Sequence, residues 1–89
     1  MRAVISVVGH DTVGILAKVS SECARYQANV VEVSQSVLQD MFAMIMIVEI
    51  SALTCPLSQL ADAMEKLGKK ENLVIHVMHE DIFQSMHRI

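Results

Sequence analysis

The sequence predicts an α+β fold in which one four-stranded antiparallel sheet carries two helices on one face and a short C-terminal helix follows. Three observations predict it. Apolar residues alternate or cluster in four short runs, two longer segments between them repeat every three to four residues, and the segments come in the order strand, helix, strand, strand, helix, strand. Two strand–helix–strand units joined by a hairpin build the split βαβ, or ferredoxin-like, arrangement. All 89 residues are expected to form one domain, 1–89, with no linker, repeat or low-complexity stretch.

Residues Arg2–Val8 are rich in Val and Ile, and Gly9 is expected to close this first strand. The following segment is helical by period: Ile15, Leu16, Val19, Cys23 and Tyr26 share one face, while Lys18, Glu22 and Arg25 share the other. Asp11 or Thr12 is the expected N-cap, because a short oxygen-bearing side chain accepts an otherwise orphaned backbone N–H. Asn29–Leu38 forms a second strand with Val31, Val33 and Val37 alternating against Glu32, Ser34 and Ser36. Gln39-Asp40 then makes a tight turn without the usual glycine.

Met41–Ser51 is the third strand. It is apolar on both faces, so it belongs at the centre of the sheet with cover on two sides. Pro56 opens a second helix, where its missing N–H does no harm; Leu57, Leu60, Ala61, Met64 and Leu67 form its apolar face, and Gly68 is expected to end it. Asn72–His79 is the fourth strand, and Asp81 caps a tail helix, Ile82–Ile89.

Composition narrows the function. Hydrophobic residues make up 53% of the chain with 3% aromatic and seven Met, more apolar mass than one small core requires when such a domain buries only about 60–65% of its unfolded surface. The helices of this fold cover one sheet face, so Val4, Val8 and the outer side of strand three mark an association surface, and no folded monomer is expected. Net charge is −3 with no basic cluster beyond Lys69–Lys70, which argues against nucleic acid as a partner. The longest apolar run, Met41 to Val48, is far short of the ~20 residues of a membrane span, and the first residues are too short an apolar stretch for a leader. A cytoplasmic protein with reduced Cys23 and Cys55 is expected.

Few residues offer chemistry. No nucleophile–base pair is visible, so no enzyme and no cofactor are expected. His76 and His79 are three apart on a strand and point to opposite faces, which argues against a metal. His87 near the end of the tail sits where a cation is favourable, and the methionines suit core filling or a repackable interface. The turn Gly9-His10-Asp11-Thr12-Val13-Gly14-Ile15 is the one candidate site. Glycine is about 1 kcal/mol worse than Ala in a helix, so Gly14 at a helix start suggests close approach of a backbone or ligand. N–H groups there attract a carboxylate, and Asp11 suits an ammonium group. A small amino acid carries both. The alternative at this point is a tight turn with no ligand.

Val7-Val8-Gly9-His10-Asp11-Thr12-Val13-Gly14-Ile15-Leu16-Ala17, followed by Asn29-Val30, resembles the signature of the ACT domain, a small amino-acid-sensing module. Ser34-Gln35-Ser36-Val37-Leu38 and the final nine residues are similar to stand-alone bacterial ACT proteins. The resemblance implies that an effector amino acid binds where the first turn of one subunit faces strand two of its partner. It implies Asp11 as a polar contact, Gly14 and Ile15 as backbone and wall, and Asn29 as a side-chain amide; His10, by its place in the same loop, is a further candidate ligand contact. The family often has Gly where Gln27 stands here; a positive φ at that place would strain Gln27 by roughly 1–2 kcal/mol. The function expected is that of a regulatory homodimer. Its rival is a ligand-free interaction module that docks a partner through the C-terminal helix.

Overall fold

The computed structural model describes every residue except Asp11 and residues 87–89; the expectations for Asp11 and His87 therefore lie outside the described residues. The elements are β1 (Arg2–His10), α1 (Ile15–Arg25), β2 (Asn29–Leu38), β3 (Met41–Glu49), α2 (Leu57–Glu71), β4 (Leu73–His79) and α3 (Glu80–Met86). The strands form one sheet in the order β2-β3-β1-β4, and every neighbouring pair is antiparallel. This is the predicted α+β, ferredoxin-like architecture, with β3 and β1 central.

Alternation within the strands decides which side of the sheet is filled. Ala3, Ile5 and Val7 of β1, Phe42, Met44, Met46 and Val48 of β3, and Leu73 and Ile75 of β4 are buried. They meet Ile15, Val19 and Cys23 of α1 and Leu60 and Met64 of α2 in one core. Met44, Met46 and Met64 are thus core residues, in keeping with a thioether's ability to fill irregular space. The opposite face is different. Val8, Met41, Ile45 and Val74 remain exposed, so β3 is central but covered on one side only within the chain. Val4 also points to that side, yet it is buried. The element there is α3, which packs on β1 and β4 and covers this end of the face.

Several boundaries differ from the sequence reading for local reasons. β1 continues through Gly9 to His10 because those residues still pair with Phe42 and Met41 of β3. A Cβ on Gly9 would lie 2.6 Å from Leu73 Cδ2, so the glycine permits close approach inside the strand and does not end it. Gly68 likewise sits within α2, where a Cβ would lie 2.6 Å from the Leu73 carbonyl oxygen. The helix stops at Asn72, whose φ of 58° makes it a left-handed cap. β3 ends at Glu49 rather than Ser51, and α3 begins at Glu80, with Glu80 and Asp81 both in its first turn.

Two turns hold residues that replace glycine. Gln27 has φ 64°; the N–H of Ala28 donates to the Cys23 carbonyl and that of Gln27 to the Ala24 carbonyl, the paired bonds of a Schellman motif with Gln at its left-handed position. Gln39, in the β2–β3 turn, has φ 59°.

Candidate functional site

Gly14 occupies the N-cap of α1, with φ 88° and ψ 10°, and among the described residues, Thr12 included, no side chain hydrogen-bonds to the helix start. The positive φ turns the chain sharply just before Ile15, which moves the helix start past Thr12. A Cβ on Gly14 would meet nothing nearer than Lys18 Cε at 3.9 Å. Glycine is required here by backbone conformation, not by crowding, contrary to the expectation of close approach.

That geometry leaves the helix end available. The first intrahelical donor is the Lys18 N–H, 3.0 Å from the Gly14 carbonyl oxygen, so the N–H groups of Ile15, Leu16 and Ala17 precede the hydrogen-bonded ladder. No acidic residue stands in the first turn to offset the positive end of the helix dipole. Beside it lies a cavity of about 350 Å³ lined by Thr12, Gly14 to Ala17, Gln35 to Val37 and Phe42. One wall is therefore the α1 start and the other is the distal half of β2.

The predicted site residues divide. Gly14 and Ile15 both line this cavity, although the Ile15 side chain is mostly committed to the core. His10 does not line it: its imidazole points to the β2–β3 turn, where Nδ1 lies 3.6 Å from Asp40 Oδ2, both side chains exposed. Asn29 is exposed at the start of β2, at the opposite end of α1. Eleven residues of helix span about 16 Å, so Asn29 and Gly14 of one chain do not share a cavity. Asn29 instead borders a second depression with Ser20, Ala24 and Gln27.

Four lining residues lie outside the turn that the sequence marks as the site: Gln35, Ser36, Val37 and Phe42. The sequence signal was present in the polar run Ser34-Gln35-Ser36 on a strand otherwise patterned with Val. Placing it beside the α1 start required the hairpin register, Gln35 to Met44 and Val37 to Phe42. In the sequence Lys18 is one residue of a polar helix face. Its Nζ lies 2.6 Å from Glu71 Oε1, and that hydrogen bond holds the Glu71 carboxyl below its ordinary range.

Other features of the chain carry little reactivity. Burial, reinforced by the nearby Glu22 charge, pushes the Cys23 thiol up to about 11. Among the described residues no three His, Cys, Asp or Glu side chains cluster to hold a metal, and no helix is long and apolar enough to cross a membrane.

The ACT domain family model matches residues 2–78. A UPF0237 protein of Methanococcus maripaludis is 46% identical over 88 residues, covering 99% of this chain and 98% of its own length. A UPF0237 protein of Clostridium perfringens is 44% identical over the whole of both chains. Among solved structures, an ACT domain protein from Streptococcus pneumoniae superposes with a TM-score of 0.81 at 34% identity and 94% coverage of both chains. The match spans the turn, the α1 start and every strand of the sheet, and on that ground the chain belongs to the ACT domain family.

Proposed function

We propose that the chain is a sensing subunit: a homodimer, paired edge to edge through β2, that takes a small amino acid at the start of α1 and performs no covalent chemistry. ACT domains are generally ligand-sensing regulatory domains. The observation that carries the reading here is the uncapped α1 start, held open by Gly14 in its left-handed conformation, against a cavity shared with β2. The free N–H groups suit a carboxylate. Asp11, in the same loop, supplies the acidic partner for an ammonium group. The cavity volume is at the small end of ligand sites, which favours a short side chain.

Asn29 enters this site only from a second copy. β2 is an edge strand of ten residues with no Lys or Pro and a single charge, Glu32, so its outer edge lacks the usual protection against strand pairing. A two-fold antiparallel pairing centred between Glu32 and Val33 sets the main chain of Asn29 of the partner subunit opposite that of Ser36, which borders the cavity. The site is then completed only in the dimer, and ligand bridges the two subunits. Ligand would accordingly favour whichever dimer geometry brings these groups together.

Calorimetry of the purified protein against the amino acids tests the reading. Binding by at least one of them, weakened tenfold or more by Asp11→Ala or Asn29→Ala, is the expected result. Absence of binding by all of them, or both variants binding like the parent, overturns the site.

A further inference from the structure

The face of the sheet turned away from α1 and α2 is bare over more than half its length. The registers place Val8 beside Ala43 and Val74, and Ser6 beside Ile45 and His76. Ile45 and Val74 are 42% and 57% exposed. Val4, one step further along the same face of β1, is only 2% exposed, because α3 lies over that end. The face is therefore a step: raised under α3, and flat beyond it, with Val8, Ala43, Ile45 and Val74 around Ser6 and His76. α3 itself turns Ile82 and Met86 outward, 55% and 66% exposed.

Charge and area both identify the occupant. No Asp, Glu, Lys or Arg stands among these six positions or at Ser34 and Ser36, the β2 positions beside Ile45 and Ala43, so two copies of a chain with net charge −3 meet here without opposing like charges. A charged partner surface would instead lose hydration with nothing to pair it. Four strands by about five residues make a shelf of about 300 Å², so a single pair of copies buries only about 600 Å² of footprint, below the ~1,000 Å² that a specific interface needs. Two edge-paired dimers form two such contacts at once. Their combined footprint of about 1,200 Å² reaches the standard interface range, and the second contact forms at high effective concentration once the first is made.

The geometry points to this shelf as the surface on which two edge-paired dimers stack, sheet on sheet, into a tetramer. A two-fold relation fits step to step, with bare shelf on bare shelf and each α3 set beyond the end of the facing sheet. The inference rests on edge pairing through β2, but it concerns a different surface, so the two are separable.

Sedimentation of the full chain at tens of micromolar, with Ile45→Glu and Val74→Glu alongside, tests it. The expected result is a tetramer for the parent and a dimer, twofold lighter, for either variant, with unchanged far-ultraviolet circular dichroism. Val74 lies on the edge strand β4 and is well exposed, so that variant keeps the test valid if Ile45→Glu fails to fold. A parent dimer that neither variant disturbs overturns the stacked shelf and leaves the edge pairing intact. A parent dimer that both variants convert to monomer overturns the edge pairing and, with it, the stack of two dimers. A parent monomer overturns both.

Discussion

Lys18 Nζ lies 2.6 Å from Glu71 Oε1, and this pair joins the first turn of α1 to the last turn of α2. The two helices also pack against each other over the shared core, and the pair adds a polar tie between them at the end of the molecule that carries Gly14. Both side chains are partly solvated, which keeps the contribution small. Lys18→Met or Glu71→Gln is expected to lower Tm by about one to three degrees. Thermal melts across a salt series check this: the gap between parent and variant should narrow as ionic strength screens the pair. A gap that salt does not change would assign the loss to packing of the Lys18 stem instead.

Gln27 and Gly14 predict effects of opposite sign. Gln27 holds a left-handed conformation at φ 64° in a Schellman turn that normally uses glycine. Gln27→Gly is expected to stabilise by about 0.5–1 kcal/mol, the relieved strain of 1–2 kcal/mol less the greater entropy loss of glycine. Gly14→Ala, at φ 88°, is expected to cost about 1–2 kcal/mol although its methyl group meets no close neighbour. Denaturant titrations with unchanged m-values measure both.

Cysteine reactivity separates the two thiols. Cys23 is buried and its thiol is pushed up to about 11, while Cys55 is only half-buried. Since the thiolate is the reactive form, brief treatment with iodoacetamide near pH 8 should label Cys55 and leave Cys23 unmodified. Peptide mass spectrometry reads the outcome, and equal labelling would show that the core around Val19 and Cys23 opens readily. Labelling in denaturant should modify both.

Acid stability has one identifiable contributor at the N-terminal corner. The Ser51 hydroxyl donates to Glu49 Oε1 at 2.5 Å and the N-terminal ammonium group lies 2.9 Å away. These partners, the hydroxyl first, hold the carboxyl down from its ordinary 4.5 to about 2. A carboxyl depressed on folding stabilises above its unfolded pKa and loses that contribution as pH falls through the folded value. Unfolding titrations between pH 5 and pH 2, ordinary and folded pKa marking the window, should therefore show a shallower acid loss for Glu49→Gln than for the parent. Parallel curves would remove Glu49 from the acid response.

Much of this molecule is legible from pattern. Val and Ile runs, the Pro56 start and the strand–helix order identify all four strands and both long helices, because period and turn chemistry are local properties. What stayed hidden was set by contacts distant in sequence. Gly68 reads as a helix end until Leu73 is known to press against it, and Gly9 reads as a strand end for the same reason. Val4 and Val8 are indistinguishable in pattern, yet α3 covers one and not the other. At the candidate site, the glycine at position 14 was visible, whereas Gln35 to Val37 reached it only through the register of β2 on β3. The strain at Gln27 follows from the resemblance to a family with glycine at that place.

Leu73 is gripped from two sides at once: Gly9 lies against its side chain and Gly68 against its carbonyl group, each within a distance that leaves no room for a methyl group. β1, β4 and α2 thus meet at a single point, the Leu73 side chain against Gly9 and the Leu73 main chain against Gly68. Such a corner resists sliding, since shear of α2 over β4 would drive main chain into main chain at Gly68. The subunit is consequently suited to transmit a bound ligand as a change in how copies sit against one another, and poorly suited to transmit it by deforming within itself. Fluorescent labels on two subunits would report such a signal as a change in separation, while labels on α2 and β4 of one subunit would stay silent.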